Sequence, residues 1–220
     1  MSANDDMLSD VNEELLWDPK VDSRAIAASA EDGKVTLRGT VGSLREKREA
    51  TKIAARVFGV IAVDNELQVR LLDEAKRSDA ELRKDVLQAL MLDSLVPSTV
   101  DAKVDQGFVT LSGTAEWQFQ RDEADRIASN IVGTLDVFDE ITVVHAEPDA
   151  ASIKESVKKA YERSATIDGH RLSVKTSDGT VTIEGSVSSR TERDAAVAAA
   201  WASPGVRRVE DRMVVEYQAP

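Results

Sequence analysis

Asp32-Gly33-Lys34-Val35-Thr36-Leu37-Arg38-Gly39 decides how this chain is read, because the pattern returns twice. It recurs as Gln106-Gly107-Phe108-Val109-Thr110-Leu111-Ser112-Gly113 and again as Asp178-Gly179-Thr180-Val181-Thr182-Ile183-Glu184-Gly185. A further glycine follows each copy, at Gly59, Gly133 and Gly205, so every mark steps by 74 and then by 72 residues. A period longer than that of the common solenoid repeats points to small modules that each enclose a core. Units of roughly 65 to 70 residues bury only about 60% of their unfolded surface, so neighbouring modules are expected to touch.

Within the motif, Val35/Leu37, Val109/Leu111 and Val181/Ile183 alternate with polar positions, which is the period of a half-buried strand. A short β-prone run precedes each copy, at residues 25–30, 99–104 and 171–176. Asp32-Gly33 and Asp178-Gly179 between the runs tolerate positive φ and predict antiparallel hairpins. Upstream of each hairpin lies helical spacing: Leu8, Val11 and Leu15; Leu82, Val86 and Met91; Ile153, Val157 and Tyr161.

Downstream, Ser43-Leu44-Arg45-Glu46 and Ser189-Arg190-Thr191-Glu192 read as capping boxes that start a second helix. Its stripe is Ala50, Ile53, Ala54 and Val57 in the first unit, Ala124, Ile127, Ala128 and Ile131 in the second, and Ala196, Ala199 and Ala200 in the third. Gly59, Gly133 or Gly205 closes that helix, and a last strand follows through Val63/Leu67/Val69, Val137/Ile141/Val143 or Val209/Met213/Val215. The expected class is α+β: three tandem α-β-β-α-β modules over residues 5–72, 78–146 and 150–217, each with two helices on one face of a three-stranded mixed sheet. Short links at about 72–78 and 146–151 restrict how freely the modules can reorient.

Composition narrows the chemistry. The 220-residue chain has a net charge of −12, 42% hydrophobic residues and no cysteine, which excludes disulfides and thiolate catalysis. Acidic and basic residues number 13 and 10 over 1–72, 16 and 7 over 73–147, and 11 and 11 over 148–220, leaving −3, −9 and 0. Nucleic acid is therefore not an expected partner, since phosphate binding relies on Lys and Arg. No stretch reaches about 18 consecutive apolar residues, and the N-terminus lacks a basic-then-apolar leader, so no transmembrane segment and a cytoplasmic location are expected.

No catalytic constellation emerges. Gly33 to Gly39 spans a strand, not a tight loop before a helix, so the nine motif and helix-end glycines are read as structural and not as a phosphate cradle. His145 and His170 lie in different units without a cysteine partner, so no metal or cofactor is expected. Asp139/Glu140 and Glu210/Asp211 are neighbours that point to opposite faces of a strand and do not pair as acid and base. The pairs Asp64-Asn65, Asp139-Glu140 and Glu210-Asp211 are read as strand starts or bulges.

Candidate contact residues are of two kinds. Trp117 and Phe119 stand where the other units carry Ser43/Arg45 and Ser189/Thr191, so an aromatic residue occupies a capping position and is expected at a surface between modules or toward a partner. Lys154, Lys158 and Lys159, with Arg207 and Arg208, make the third unit the expected anion binder. Trp17, before Asp18-Pro19, is read as a core plug or helix terminator, and Trp201 as packed within the third unit.

The strand Val35-Thr36-Leu37-Arg38-Gly39-Thr40-Val41, the capped helix and Gly59-Val60-Ile61-Ala62-Val63-Asp64-Asn65 together resemble the BON domain, in all three units. Trp17-Asp18-Pro19 and Trp117-Gln118-Phe119-Gln120-Arg121 also resemble three-module members described as osmotically inducible or transport-associated. The resemblance implies a non-enzymatic protein that binds phospholipid peripherally in osmotic or envelope stress, and a periplasmic location as the alternative. The composition keeps a second class open, a protein–protein scaffold or chaperone-like protein that uses three modules multivalently.

Overall fold

The computed structural model describes residues 3–144 and 150–216. The first module runs α1 (Ala3–Trp17), β1 (Ile26–Glu31), β2 (Lys34–Val41), α2 (Leu44–Arg56) and β3 (Ala62–Val69). The second runs α3 (Asp79–Leu92), β4 (Asp101–Asp105), β5 (Phe108–Ala115), α4 (Gln118–Asn130) and β6 (Asp136–Val143). The third runs α5 (Ala150–Arg163), β7 (Leu172–Ser177), β8 (Thr180–Val187), α6 (Arg190–Trp201) and β9 (Arg208–Val215). Each sheet has three strands in chain order, so three separate α-β-β-α-β modules are present.

In the first and third modules the central strand pairs antiparallel with its predecessor and parallel with its successor, Ala28 opposite Leu37 and Leu37 opposite Asn65, and likewise Val174 opposite Ile183 and Ile183 opposite Asp211. The parallel pair is forced by the helix between the two strands, which carries the chain back to the starting edge. Val11, Leu15, Val35, Leu37, Ile53 and Leu67 form the first core, and Ile153, Val157, Val181, Ile183, Ala196 and Met213 the third. Alanines Ala50 and Ala54 are fully buried where α2 meets the sheet, small enough for helix and strands to approach closely.

The hairpin turns take two successive left-handed residues, Asp32 at φ 48° with Gly33 at 79° and Asp178 at 49° with Gly179 at 76°, the backbone that matches the twist of paired strands. Gln106 adopts the same conformation at 51°, and there Asp79 of α3 accepts from the Gln106 and Gly107 N–H groups at 2.8 and 2.9 Å. Gly39 lies inside β2 and not at the strand's end. Its φ is 129°, and an added Cβ would sit 2.0 Å from the Ala25 carbonyl oxygen; Gly113 and Gly185 meet Thr99 and Arg171 at 2.1 Å in the same way. The motif glycine is thus required by a close backbone approach at the start of the first strand of each module.

The structure departs from the sequence expectations at several points. The first strands begin one or two residues later than expected, because in the first and third modules a turn of 3-10 helix, Ser23–Ala25 or Gly169–Arg171, precedes them. Met91 is 86% exposed and Leu90 takes the core position, a one-residue slip permitted by the unbroken run Ala89-Leu90-Met91-Leu92. Trp17 ends α1 but is 74% exposed, so it terminates the helix without plugging the core. Asp64-Asn65, Asp139-Glu140 and Glu210-Asp211 lie inside strands and not at their starts.

The chain falls into two compact units, Met1–Gly113 with Glu123–Ile141, and Thr114–Asp122 with Thr142–Pro220. Within the first unit, Arg48 of α2 makes a two-pronged ion pair with Asp125 of α4, Nη2 to Oδ1 at 3.0 Å, and donates to Ser129 Oγ at 3.1 Å. The hydrogen bond to Asp125 raises the Arg48 pKa, outweighing the opposite effect of burial. Arg48 and Asp125 lie 77 residues apart, and no local pattern could pair them.

Candidate functional site

The second helix of each module starts against a small polar cluster, and the three versions differ. Ser43 accepts from the Glu46 N–H, as a cap should. Glu46, however, reaches past the cap to the Gly42 N–H at 2.8 Å and to the Asp22 N–H at 2.7 Å, tying α2 to the loop before β1. Glu192 repeats this with Ser188 N at 2.7 Å and Asp168 N at 2.8 Å and is buried. Burial pushes its pKa up, but those hydrogen bonds and the Arg171 charge outweigh it, so the carboxyl titrates below its ordinary value. The complete capping box is instead at α3, between Ser78 and Glu81.

In the middle module Trp117 replaces the serine, and Gln120 replaces the glutamate. Gln120 Oε1 accepts from Glu116 N at 2.9 Å and Trp117 N at 3.1 Å. Trp117 is half-buried and Phe119 exposed. The neutral amide keeps the donor before the cap but takes the Trp117 N–H in place of the loop donor that Glu46 and Glu192 hold, and it lacks the charge that benefits a helix N-terminus.

Lys154, Lys158 and Lys159 are exposed along α5, and Arg207 and Arg208 are exposed at the start of β9. Ala150, one turn before Lys154, accepts from Thr176 Oγ1 at 2.7 Å, while Arg207 N donates to the Gly179 carbonyl at 2.8 Å and its side chain lies over Gly179. Arg207 and Arg208 therefore border the β7–β8 turn, and the first turn of α5, which leads to Lys154, packs beside β7. Lys158 lies farther along the helix, beside a shallow cleft lined by Tyr161, Ile167 and His170. His170 is exposed, and His145 lies outside the described residues.

The position shared by Asn65, Asp139 and Asp211 has a structural use. Each side-chain oxygen accepts from the N–H two residues on, at 2.9 to 3.0 Å, and Asp211 also receives Arg193 Nε at 2.6 Å. Asn65 donates to the Lys47 carbonyl at 2.8 Å, joining strand to helix. Tyr161 donates to the Ala196 carbonyl at 3.1 Å, and burial followed by the Asp211 charge raises its pKa, so it remains a neutral packing group. Among the described residues no three His, Cys, Asp or Glu side chains converge on a metal-sized site.

The sheet face turned away from the helices was overlooked by sequence reasoning. In the first module it carries Lys34–Asp64 at 3.0 Å and Arg38–Glu66 at 2.6 Å. The third has Lys175–Glu184 at 2.5 Å and Arg212–Glu210 at 3.0 Å. In the middle module the counterparts of Lys34 and Asp64 are Phe108 and Phe138, whose rings stack with centroids 6.1 Å apart. The repeat step of 74 residues superposes these positions and was the signal that could have found them.

These features define a class: tandem small α+β modules whose polar clusters hold helices to strands and whose distinguishing residues lie on outer surfaces. The BON domain model matches residues 4–70, 78–145 and 149–217. The chain belongs to the BON domain family. It is 34% identical over 122 residues to Osmotically-inducible protein Y of Escherichia coli K12, across 53% of this chain and 61% of that protein, so the match leaves over a third of the relative uncovered. Among solved structures it is similar to CdsD, a structural protein of the type III secretion system of Chlamydia trachomatis, with 14% identity, 97% and 93% of the two chains covered and a TM-score of 0.28. The periplasmic domain of the type III secretion inner-membrane protein PrgH from S. typhimurium gives 13% identity, 87% and 94% coverage and a TM-score of 0.23.

Proposed function

We propose that this chain is a non-enzymatic binding protein that associates peripherally with membrane phospholipid in osmotic or envelope stress, with the third module contacting anionic headgroups. The observation that carries the reading is the exposed basic side chains Lys154, Lys158, Lys159, Arg207 and Arg208, of which Lys159 pairs with Glu155 and Arg208 with Glu210, set in the one module whose charges balance within a chain of −12. Attraction of about 1 kcal/mol per basic residue near an anionic surface makes such a group sufficient for reversible association. No helix among the described residues is long and apolar enough to cross a membrane. The similarity to an osmotically inducible protein supports the stress setting.

Co-sedimentation with anionic and zwitterionic vesicles tests the proposal. The chain should bind anionic vesicles in a salt-sensitive way, and Lys154→Glu/Lys158→Glu/Lys159→Glu should weaken binding on the order of a hundredfold. Unchanged binding by that variant would rule out the third module as the point of contact. A second reading, an interaction scaffold or chaperone-like protein, is favoured by exposed apolar residues at helix ends in the first two modules, Leu16 and Trp17 in one and Met91 and Leu92 in the other.

A further inference from the structure

The open sheet face of the middle module differs from its two counterparts in both polarity and charge. In the first module Glu31, Lys34, Arg38, Asp64 and Glu66 occupy this face, and four of the five are joined in ion pairs. A sheet face so neutralised and hydrated offers little to a partner. In the third module Lys175, Glu184, Arg208, Glu210 and Arg212 form a connected chain of ion pairs. The middle module sets an aromatic pair where the first holds Lys34 and Asp64. Phe108 and Phe138 stack at an interplanar angle of 24° and remain 40% and 52% exposed.

The surroundings of the ring pair are acidic. Asp105 is the register partner of Phe108 across the β4–β5 ladder, and Glu140 follows Phe138 by two residues, hence on the same face. Asp101 lies farther along β4, paired with Arg83, and Lys103 between the two aspartates is the single base on that strand. The stacked pair covers part of each ring, yet about half of the apolar area, with the ring faces not turned toward each other, stays open to an incoming side chain. A cationic side chain is attracted to the ring face and to the carboxylates together. An anionic surface would be repelled by the same carboxylates.

From this we infer that the Phe108–Phe138 face is a docking surface for a basic polypeptide segment in which apolar side chains alternate with lysine or arginine. Apolar residues of the segment cover the ring pair, and its cations meet Asp105, Glu140 and the ring faces. The occupant is fixed by charge complementarity: the middle module carries −9, and with Asp101 already paired to Arg83 its open face still sets Asp105 and Glu140 against Lys103. This surface is distinct from the basic group of the third module and does not depend on the phospholipid reading.

The test uses the full chain and fluorescently labelled synthetic peptides, one alternating lysine with leucine and one of equal length alternating glutamate with leucine, followed by anisotropy across a salt series. The lysine peptide should bind with salt-sensitive affinity and the glutamate peptide should not. Phe108→Lys/Phe138→Asp installs the residue pair that the first module holds at these positions, keeping net charge and fold. It should weaken the lysine peptide at least about tenfold, and Asp105→Asn/Glu140→Gln should flatten the salt dependence. Equal binding of both peptides, or unchanged affinity in the phenylalanine double variant, would overturn the inference. So would self-association in sedimentation velocity, or vesicle binding, that is lost in that variant, since a second copy or a lipid surface would then be the occupant.

Discussion

The first and middle modules share a backbone almost position for position, yet one closes its open sheet face with ion pairs and the other leaves two phenylalanines there. The shared part is what folding demands: the left-handed hairpin residues, the strand glycine pressed against a carbonyl, and the small residues under the second helix. The divergent part lies where folding makes few demands, on a face that no helix covers. Repetition of a fold thus separates residues that build a module from residues that distinguish its use.

The largest effect should come from breaking the shared part. Gly39→Ala places a Cβ 2.0 Å from the Ala25 carbonyl and forces an alanine toward φ 129°, and it should destabilise the first module by about 3 kcal/mol or more. Gly42→Ala is the control: its φ is not in the left-handed region and its nearest neighbour, Glu46 Oε2, is 3.5 Å away, so it should be close to neutral in urea unfolding. Equal costs would show that the motif glycine is not a steric requirement.

The helix starts should give effects of intermediate size. Glu192→Gln leaves two backbone donors and a hydroxyl with a weaker acceptor and should cost the third module about 1–2 kcal/mol at neutral pH. Because the folded pKa of Glu192 lies below its unfolded value, its ionised form stabilises the fold above the ordinary carboxylate range, and that contribution is lost as pH falls through the folded pKa. Acid unfolding of the Gln variant should therefore be shallower. In the middle module Gln120→Ala should show no such change in pH dependence, since Gln120 does not titrate.

Arg48→Ala, which leaves Asp125 half-buried beside α2, should cost about 1–2 kcal/mol in the first unit, discounted because both side chains keep partial solvent contact. Smallest of all, Lys34→Ala removes an exposed ion pair on the open face and should change stability by less than about 0.5 kcal/mol in thermal melts. A larger loss would mean that the open faces do build the fold.

The element order was legible because strand alternation, helix spacing and turn residues all repeat, so an ambiguity in one copy is corrected by the others. Leu90 against Met91 escaped because a continuous apolar run carries no phase, and Trp17 because a tryptophan at a helix end is compatible with core or surface. The Arg48–Asp125 pair depends on how two modules pack, which no local pattern encodes. The candidate basic residues could be named from composition, but the place of Arg207 and Arg208 beside the β7–β8 turn, apart from Lys158 at the Tyr161 cleft, needed the folded contacts. Phe108 and Phe138 lie 30 residues apart, and only the folded sheet stacks them.

If three copies of one fold divide their binding work between different surfaces, ligands of opposite charge must be separable by mutation. The most direct measurement titrates anionic vesicles and the lysine–leucine peptide against the full chain, Lys154→Glu/Lys158→Glu/Lys159→Glu, and Phe108→Lys/Phe138→Asp. The charge reversal should weaken vesicle binding on the order of a hundredfold and spare the peptide, while the phenylalanine exchange should weaken the peptide at least about tenfold and spare the vesicles. Loss of both ligands in one variant, or of neither in both, would contradict that division.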